Sequence, residues 1–482
     1  MTGKFNSVMY TDILKWFIIF QPVLDILTLL SIYFIDLSIT VGIVFRMLFM
    51  LLSFVYIFFG NDSPYKKYVI GYLILLLAVL GLGFLGNIFL KPTFNFFLET
   101  QWIAKVVYFI VMFCAFVLVF TSKESYRAVK MKLLSAVYIA ASIVVASILL
   151  SILTNTSTNT YEWVKDGYKG WFYSGNELGA IIAITAPLLF IFAYKKTNTW
   201  KDSLNWLPLF ALLVTGVLLG TKVGLFAMVG TLAIGVVILI LHWLVETRKN
   251  GMKNRYMIST LLAVVMAILF GVIAPTTPSV TNLSVDMPIP EKDNIATGPD
   301  SGEDGESMEE AEERQRQEEE AMRDEDGEIR ELPAYLDSEI VNKILSARHF
   351  YFTRQYHYYI DAHIYQQLFG MGYAGNYTEV RKTIEMDFLD IFFSFGVFGA
   401  ILIFLPLIMV TVAIIRKLFS DFKQVLNPEN IFLITSIMLG NGIALIAGHV
   451  WFAPSVSIYF SLAFVLLLYN LYQPDLEELS GQ

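Results

Sequence analysis

Long apolar stretches alternate with short polar segments along most of the chain. Twelve of these stretches reach the roughly 17–25 residues that a helix needs to cross a bilayer. They lie at 13–35, 39–59, 68–90, 101–121, 133–153, 176–194, 204–220, 222–244, 256–275, 384–415, 430–447 and 450–471. The pattern predicts an all-α polytopic integral membrane protein with about 12 transmembrane helices.

One long polar interval, residues 276–383, divides the predicted transmembrane region. Residues 1–275 would hold helices 1–9, and residues 384–482 would hold helices 10–12. Within the interval, residues 291–331 form a low-complexity acidic insertion with 18 acids and 5 bases. Apolar and tyrosine residues then recur at helical spacing, which predicts amphipathic helices within 336–370 lying on the membrane surface.

Lysine and arginine are distributed unequally between the two sets of alternate loops. Sixteen of them fall in the set that comprises 60–67, 122–132, 195–203, 246–255 and 416–423. Four fall in the set that comprises 35–38, 91–100, 154–175, 220–222 and 447–450. Because basic loops stay on the cytoplasmic side, we expect both termini to be cytoplasmic and the loop 276–383 to be extracytoplasmic.

The overall charge conceals two different regions. The formal net charge is −8, but the acidic insertion alone carries −13, so the rest of the chain carries +5. No basic patch interleaved with aromatic residues occurs, and nucleic-acid binding is therefore not expected. The single cysteine, Cys114, excludes an intrachain disulfide and argues against a cysteine-based metal site. We expect neither a metal nor a cofactor.

Several basic residues occur where an anionic ligand could bind at the predicted outer face. Lys222 separates two apolar stretches on the side that is poor in positive charge, and Arg348 lies where sequence complexity resumes after the insertion. Lys105 is a weaker candidate of the same kind. The alternatives are snorkelling of the lysines to lipid headgroups and pairing of Arg348 with a loop acid. Arg354 and His357 follow in a stretch for which a solvated helix face is the favoured interpretation.

Three acids begin the tenth apolar stretch. Glu385, Asp387 and Asp390 would be costly in an apolar helix unless they are solvated, paired or protonated. A carboxylate there could act as a general base on a sugar hydroxyl. Helix capping is the alternative, and it explains Glu385 better than Asp390. Asp25 and Arg46, inside the first two stretches, predict a buried structural ion pair.

Short motifs in a fixed order carry a resemblance to a known family. They are Gly175-Asn176-Glu-Leu178-Gly179 with Pro187, Thr221-Lys222-Val223-Gly224, Arg348 followed by Phe369-Gly370-Met-Gly372, and Glu385-Met-Asp387-Phe-Leu389 with Gly396-Val-Phe-Gly399. Together they resemble the O-antigen ligase/polymerase superfamily, which includes lipopolysaccharide O-antigen ligases and Wzy-type polymerases. The family's junction Arg is Lys222 here, and its His is Glu385. With this Glu, the long acidic loop and no evident signal peptide, the chain looks more like the Gram-positive branch, which is tied to capsule or teichuronic-type polymers.

The resemblance implies a GT-C-like architecture and a metal-independent glycosyltransferase of the bacterial cytoplasmic membrane. It would transfer a glycan from undecaprenyl diphosphate to a glycan acceptor at the outer face. Lys222 and Arg348 would hold the diphosphate, and Glu385, or alternatively Asp387, would be the base. The expected substrate-binding residues are Asn176, Gly175, Lys105, Arg354, His357 and Gly372.

The expected partners are the carrier-linked glycan, a polysaccharide acceptor, membrane lipid and other cell-surface polysaccharide assembly proteins. Two other functions stay open at this point. One is a flippase or transporter for the same lipid-linked material, and the other is a non-catalytic scaffold with the acidic insertion as its binding element. Whether an enzyme of this kind would act as a polymerase or as a ligase is also open.

Overall fold

The fold is described from a computed structural model that covers residues 6–35, 40–122, 126–161, 165–250, 254–284, 348–378 and 381–480. The predicted acidic insertion at 291–331 and the part of the predicted amphipathic region at 336–347 lie outside the described residues. Most of the described residues are helical. The sheet among them is a hairpin of two short antiparallel strands, β1 (Thr158–Asn159) and β2 (Tyr168–Gly170). The predicted all-α membrane class is confirmed.

Seventeen α-helices follow one another in the described chain. They are α1 (Ser7–Ile35), α2 (Val41–Phe59), α3 (Lys66–Leu90), α4 (Phe96–Phe120), α5 (Tyr126–Leu153), α6 (Gly175–Lys196), α7 (Leu207–Leu218), α8 (Lys222–Asn250), α9 (Asn254–Ile273), α10 (Pro278–Thr281), α11 (Arg348–Asp361), α12 (Ile364–Phe369), α13 (Asp387–Ile403), α14 (Leu405–Ser420), α15 (Phe422–Val425), α16 (Pro428–Ile446) and α17 (Pro454–Ser480). Short 3₁₀ helices occur at Trp200–Trp206, Ala274–Thr276 and Asn282–Ser284.

Among the described residues, ten helices are long and apolar enough to cross a membrane, and a bent helix pair brings the number to 11. The predicted span at 204–220 is the one that fails this test. Its residues divide between the 3₁₀ helix Trp200–Trp206 and the 12-residue helix α7. Pro208 lacks an N–H and therefore suits the start of a new helix better than the continuation of an existing one. At 1.5 Å per residue, α7 rises only about 18 Å.

The bundle is built around three helices. In the apolar 18-residue stretch of each helix, the buried share is 78% in α4, 94% in α6 and 83% in α17, against 28% in α3. α6 packs on α16 through stacked Phe190 and Phe432 rings, with centroids 4.9 Å apart. Peripheral helices instead expose large apolar side chains such as Phe59 and Phe89, as expected for surfaces that contact lipid. The three central helices are therefore enclosed by protein, whereas the peripheral helices present apolar surface to lipid.

The predicted long span at 384–415 is in fact a broken one. α13 and α14 meet at a 41° bend, and Gly396 within α13 has non-helical dihedral angles (φ 65°, ψ −172°). The chain around Gly370 packs into this break, where Met371 N–H donates to the Phe393 carbonyl over 3.0 Å. A Cβ on Gly370 would lie 2.1 Å from the Ser394 carbonyl oxygen. Glycine is therefore required there, and the surface helices α11 and α12 are fixed to α13.

Candidate functional site

A polar cavity of about 280 Å³ opens at one end of the bundle. It is enclosed by the N-terminal turns of α4, α6 and α13, by parts of α1 and α2, and by the connection between α16 and α17. Eight ionisable side chains line it: Asp25, Arg46, Lys105, Glu177, Glu385, Asp387, Asp390 and His449. Five aromatic side chains complete the wall: Trp102, Phe172, Tyr173, Tyr373 and Phe452. Carboxylates, cations and aromatic rings in one concave site are the groups that bind and activate polar ligands.

Glu385 is the most strongly paired carboxylate of this cavity. Arg348 Nη2 donates to its Oε2 over 3.1 Å, and Lys382 Nζ lies 3.0 Å from its Oε1. Burial alone would raise the pKa of Glu385, but the positive charges of Lys382, His449 and Arg348 lower it to about 2. Glu385 is therefore an ionised group whose two oxygens are both in use.

The backbone at Glu385 is held in an unusual conformation. Its φ is +62°, in the left-handed region that costs a non-glycine residue free energy. The carboxylate of Asp390 stabilises this turn from within the first turn of α13. Its oxygens accept hydrogen bonds from the backbone N–H groups of Ile384 (2.9 Å) and Met386 (3.2 Å). Asp390 therefore binds the backbone on both sides of Glu385. This contact gives a reason for an acid at position 390, which helix capping explained poorly.

Asp387 stabilises a second turn of the same kind. Its carboxylate accepts three consecutive backbone N–H groups, from His449 (3.0 Å), Val450 (2.8 Å) and Trp451 (2.8 Å). His449 also has a left-handed backbone, with φ +62°. Asp387 and Asp390, one turn apart on α13, therefore each hold a strained turn. Each turn carries an ionisable side chain into the cavity.

Asp25 and Arg46 form an ion pair between α1 and α2, with Arg46 Nη2 2.5 Å from Asp25 Oδ1. Arg46 Nε donates to Gln21 Oε1 over 3.0 Å. The sequence reading assigned this pair a structural role, yet both residues line the cavity. Asp25 Oδ2 is buried and has no hydrogen-bond partner within the described chain. The pair consequently adds a charged wall to the site.

The start of α6 contributes Glu177 rather than the two residues that the motif suggested. Ser174 caps the helix by accepting the Glu177 N–H over 3.3 Å, and Ser455 Oγ donates to Glu177 Oε2. Glu177 lines the cavity, whereas Gly175 and Asn176 are half-buried neighbours outside its lining. The first turn of α6 is therefore joined to the start of α17 beside the site.

Four other predicted residues divide between the cavity and its surroundings. Lys105 lines the cavity, with its Nζ 5.9 Å from the centre of the Trp102 ring. Lys222 is exposed at the first residue of α8, and His357 is half-buried on α11, both outside the lining. Arg354 donates to the Lys382 carbonyl over 3.1 Å, which supports the segment leading to Glu385.

Gly372 supports the wall of the cavity from behind. A Cβ at this position would lie 2.4 Å from Glu99 Oε2, and its φ is +77°. Glu99 also accepts the N–H of Tyr373 over 2.9 Å and forms a buried ion pair with Lys91. This arrangement holds Tyr373 at the cavity. Glycine is needed at position 372 because the backbone there lies so close to the Glu99 carboxylate.

Comparison with known proteins gives one decisive match. The profile of the family described as "O-antigen ligase like membrane protein" matches residues 7–474. The chain belongs to this family. No curated protein matches the chain. Family membership implies an enzyme that transfers glycans, with a polysaccharide ligase or polymerase role and with lipid-linked glycan and polysaccharide substrates at the membrane.

Within this O-antigen ligase-like protein, sequence reasoning missed three residues that join the site: His449, Glu177 and Lys382. His449 had a usable signal, because it lies in the short connection at 447–450, on the side predicted to face outward with Glu385. The contact of this connection with the Glu385 turn had no such signal, because Gly448 and Glu385 are more than 60 positions apart in the chain. No group of three His, Cys, Asp or Glu side chains within the described ranges is arranged to hold a metal ion.

Proposed function

We propose that this protein transfers a glycan from undecaprenyl diphosphate to a glycan acceptor at the outer face of the bacterial cytoplasmic membrane. The single observation that carries the proposal is the polar cavity. It joins Lys105, Glu385 and His449 at one end of the bundle in a chain of the O-antigen ligase-like family. Such a transfer needs a cation for the diphosphate and a group that accepts the proton of the attacking hydroxyl.

The distribution of charge along the bundle supports an outer-face site. At the end opposite the cavity, the buried Lys130 and the half-buried Lys195 both pair with Glu429. That end also holds the basic loops, which stay cytoplasmic under the positive-inside rule. The cavity, at the other end, would then face outward with the loop 276–383, and both termini would be cytoplasmic.

Lys105 is the residue that we propose binds the diphosphate of the donor. It lines the cavity, and no carboxylate of the described residues lies within ion-pairing distance of it. An ammonium there would stabilise the negative charge that develops on the leaving diphosphate. Arg348 acts instead through Glu385, which it contacts directly. Lys222 stays a prediction as a second contact to the donor, further from the reacting atoms.

The proposed reaction needs no metal ion. The diphosphate is already a good leaving group, and lysine and arginine side chains can neutralise the charge that it gains. Chelation should therefore leave the rate unchanged. Measuring transfer in the presence of EDTA, with and without added Mg²⁺, tests this directly.

The role of Lys105 can be tested with charge-removing variants in proteoliposomes. The donor is the lipid-linked glycan that accumulates in cells lacking the gene, and chain growth is followed by electrophoresis. Lys105→Gln should lower the rate at least tenfold, about 1.4 kcal/mol of transition-state stabilisation, and Lys105→Arg should restore part of it. Lys165→Gln, in the β1–β2 loop outside the cavity, is the matched control. A wild-type rate for Lys105→Gln would contradict the assignment, and Lys222→Gln should cost less.

A further inference from the structure

His449 and Glu385 come from distant parts of the chain but meet at one place. Both side chains line the cavity. A Cβ on Gly448 would lie 2.7 Å from the Glu385 carbonyl oxygen, so the two turns are in backbone contact. When it is protonated, His449 is also among the cations that lower the pKa of the Glu385 carboxyl. The imidazole and the carboxylate therefore belong to one electrostatic unit.

Glu385 is poorly suited to take a proton from a sugar hydroxyl. Burial alone would raise its pKa, but Lys382, His449 and Arg348 hold it at about 2. A general base works best when its pKa is near the working pH. Each of its oxygens also has a cationic partner, Arg348 at 3.1 Å and Lys382 at 3.0 Å. A proton arriving at Glu385 would have to displace one of those ion pairs.

The turn that carries His449 has the features of a constrained functional position. Its φ of +62° is unfavourable for histidine, and the Asp387 carboxylate fixes it through three backbone N–H groups. Strain of this kind is retained where the surrounding structure specifies it strongly, and such positions cluster at functional sites.

We propose that His449 is the general base of the transfer and that Glu385 stabilises the imidazolium that forms. The inference rests on the proposed function. The acceptor oxygen forms a bond to the anomeric carbon of the donor sugar while the hydroxyl proton passes to the imidazole. The bond from that carbon to the diphosphate oxygen breaks, and its electron pair leaves with the diphosphate. Solvent later takes the proton from His449.

The other ionisable groups around the cavity set the electrostatic background of this step. Besides Glu385, the groups that face His449 across the cavity or on adjoining elements are Asp25, Arg46, Lys105, Glu177, Asp387 and Asp390. Lys382 and Arg348 act from behind Glu385. The negative charge of Glu385 would offset the positive charge that the imidazole gains in the transition state, so Glu385 should assist the proton transfer without receiving the proton.

The test is the pH dependence of transfer by the full-length protein in proteoliposomes, with the accumulated lipid-linked glycan as donor. The wild-type rate should fall on acidification, because a general base no longer accepts a proton once it is protonated. His449→Gln should lose about 100-fold or more, and its residual rate should lack this acid limb. Glu385→Gln should lose less activity and should keep the acid limb, which would be absent if Glu385 were itself the base. His242→Gln, on α8 near Tyr194 and away from the cavity, is the matched control.

A second variant separates loss of the base from loss of the fold. Glycine accepts a positive φ without strain, so His449→Gly should keep the turn intact, and added imidazole should restore transfer. A wild-type rate and pH profile in His449→Gln would overturn the inference, as would a His449→Gly protein that imidazole does not rescue. Wild-type protein that consumes no donor at any pH would contradict the proposed function instead.

Discussion

Gly448 and Glu385 are packed so closely that a Cβ on the glycine would stand 2.7 Å from the carbonyl oxygen of the glutamate. This contact joins the loop before α13 to the connection between α16 and α17. Asp387 and Asp390, one turn apart on α13, each hold one of the two turns through backbone N–H groups. The site is therefore a rigid junction of two turns, and its geometry depends on backbone contacts as much as on the ionisable side chains.

Gly448→Ala should disrupt this junction. The added methyl group would collide with the Glu385 backbone, and the φ of +68° is strained for alanine by roughly 1–3 kcal/mol. We expect a lower melting temperature and a loss of transfer larger than the loss of folded protein. Gly442→Ala is the matched control, because a Cβ there meets nothing within 4 Å. Equal behaviour of the two variants would mean that the Gly448 contact is unimportant.

Asp387→Asn should show that Asp387 positions the His449 turn and does not receive the proton. The amide would present N–H groups toward backbone donors, and loss of these bonds should cost about 1–3 kcal/mol. Thermal unfolding should detect this, while the residual activity should keep the wild-type pH profile. Asp12→Asn, at an exposed ion pair with Lys132, should change stability little. A folded Asp387→Asn protein without the acid limb would identify Asp387 as the base.

Stability should fall on strong acidification because of Glu385. Its pKa in the folded protein, about 2, is below the ordinary 4.5, so its ion pairs stabilise the fold above about pH 4.5. That stabilisation, at most about 3 kcal/mol, is lost as the pH falls from there toward 2. Melting temperatures between about pH 5 and 3 should therefore drop more steeply for wild type than for Glu385→Gln. Parallel curves would mean that Glu385 is not the group responsible.

The orientation of the chain can be tested by cysteine labelling, because the native Cys114 is buried. Ser301→Cys lies in the acidic insertion and should react with a membrane-impermeant maleimide in intact cells. Asp62→Cys, in the loop between α2 and α3, should react only after the membrane is permeabilised. The reverse pattern would place the cavity on the cytoplasmic side and rule out an outer-face reaction.

Hydrophobic length predicted most of the helices, because a membrane span needs a long apolar run whatever it packs against. It failed at 204–220 and 384–415, where local backbone chemistry decides the outcome. Pro208 favours a new helix start, and Gly396 adopts non-helical dihedral angles against which the chain near Gly370 packs. The proline and glycines are visible in the sequence, but only the packing shows that these particular ones interrupt a helix.

The candidate site was partly predictable for an electrostatic reason. Charges such as Asp25, Lys105 and Glu385 stand out in apolar stretches because they need water, a partner or a ligand there. The sequence did not reveal that the Asp387 and Asp390 carboxylates, besides lining the cavity, accept hydrogen bonds from backbone N–H groups. Nor did it reveal His449, whose place depends on contacts between residues far apart in the chain.

Carrier release coupled to glycan growth is the most direct test of the central claim. Wild-type protein in proteoliposomes should release undecaprenyl diphosphate in the same molar amount as the glycosidic bonds formed, and Lys105→Gln should slow both equally. Translocation of intact donor without carrier release, or glycan growth without release, would contradict the proposed transfer.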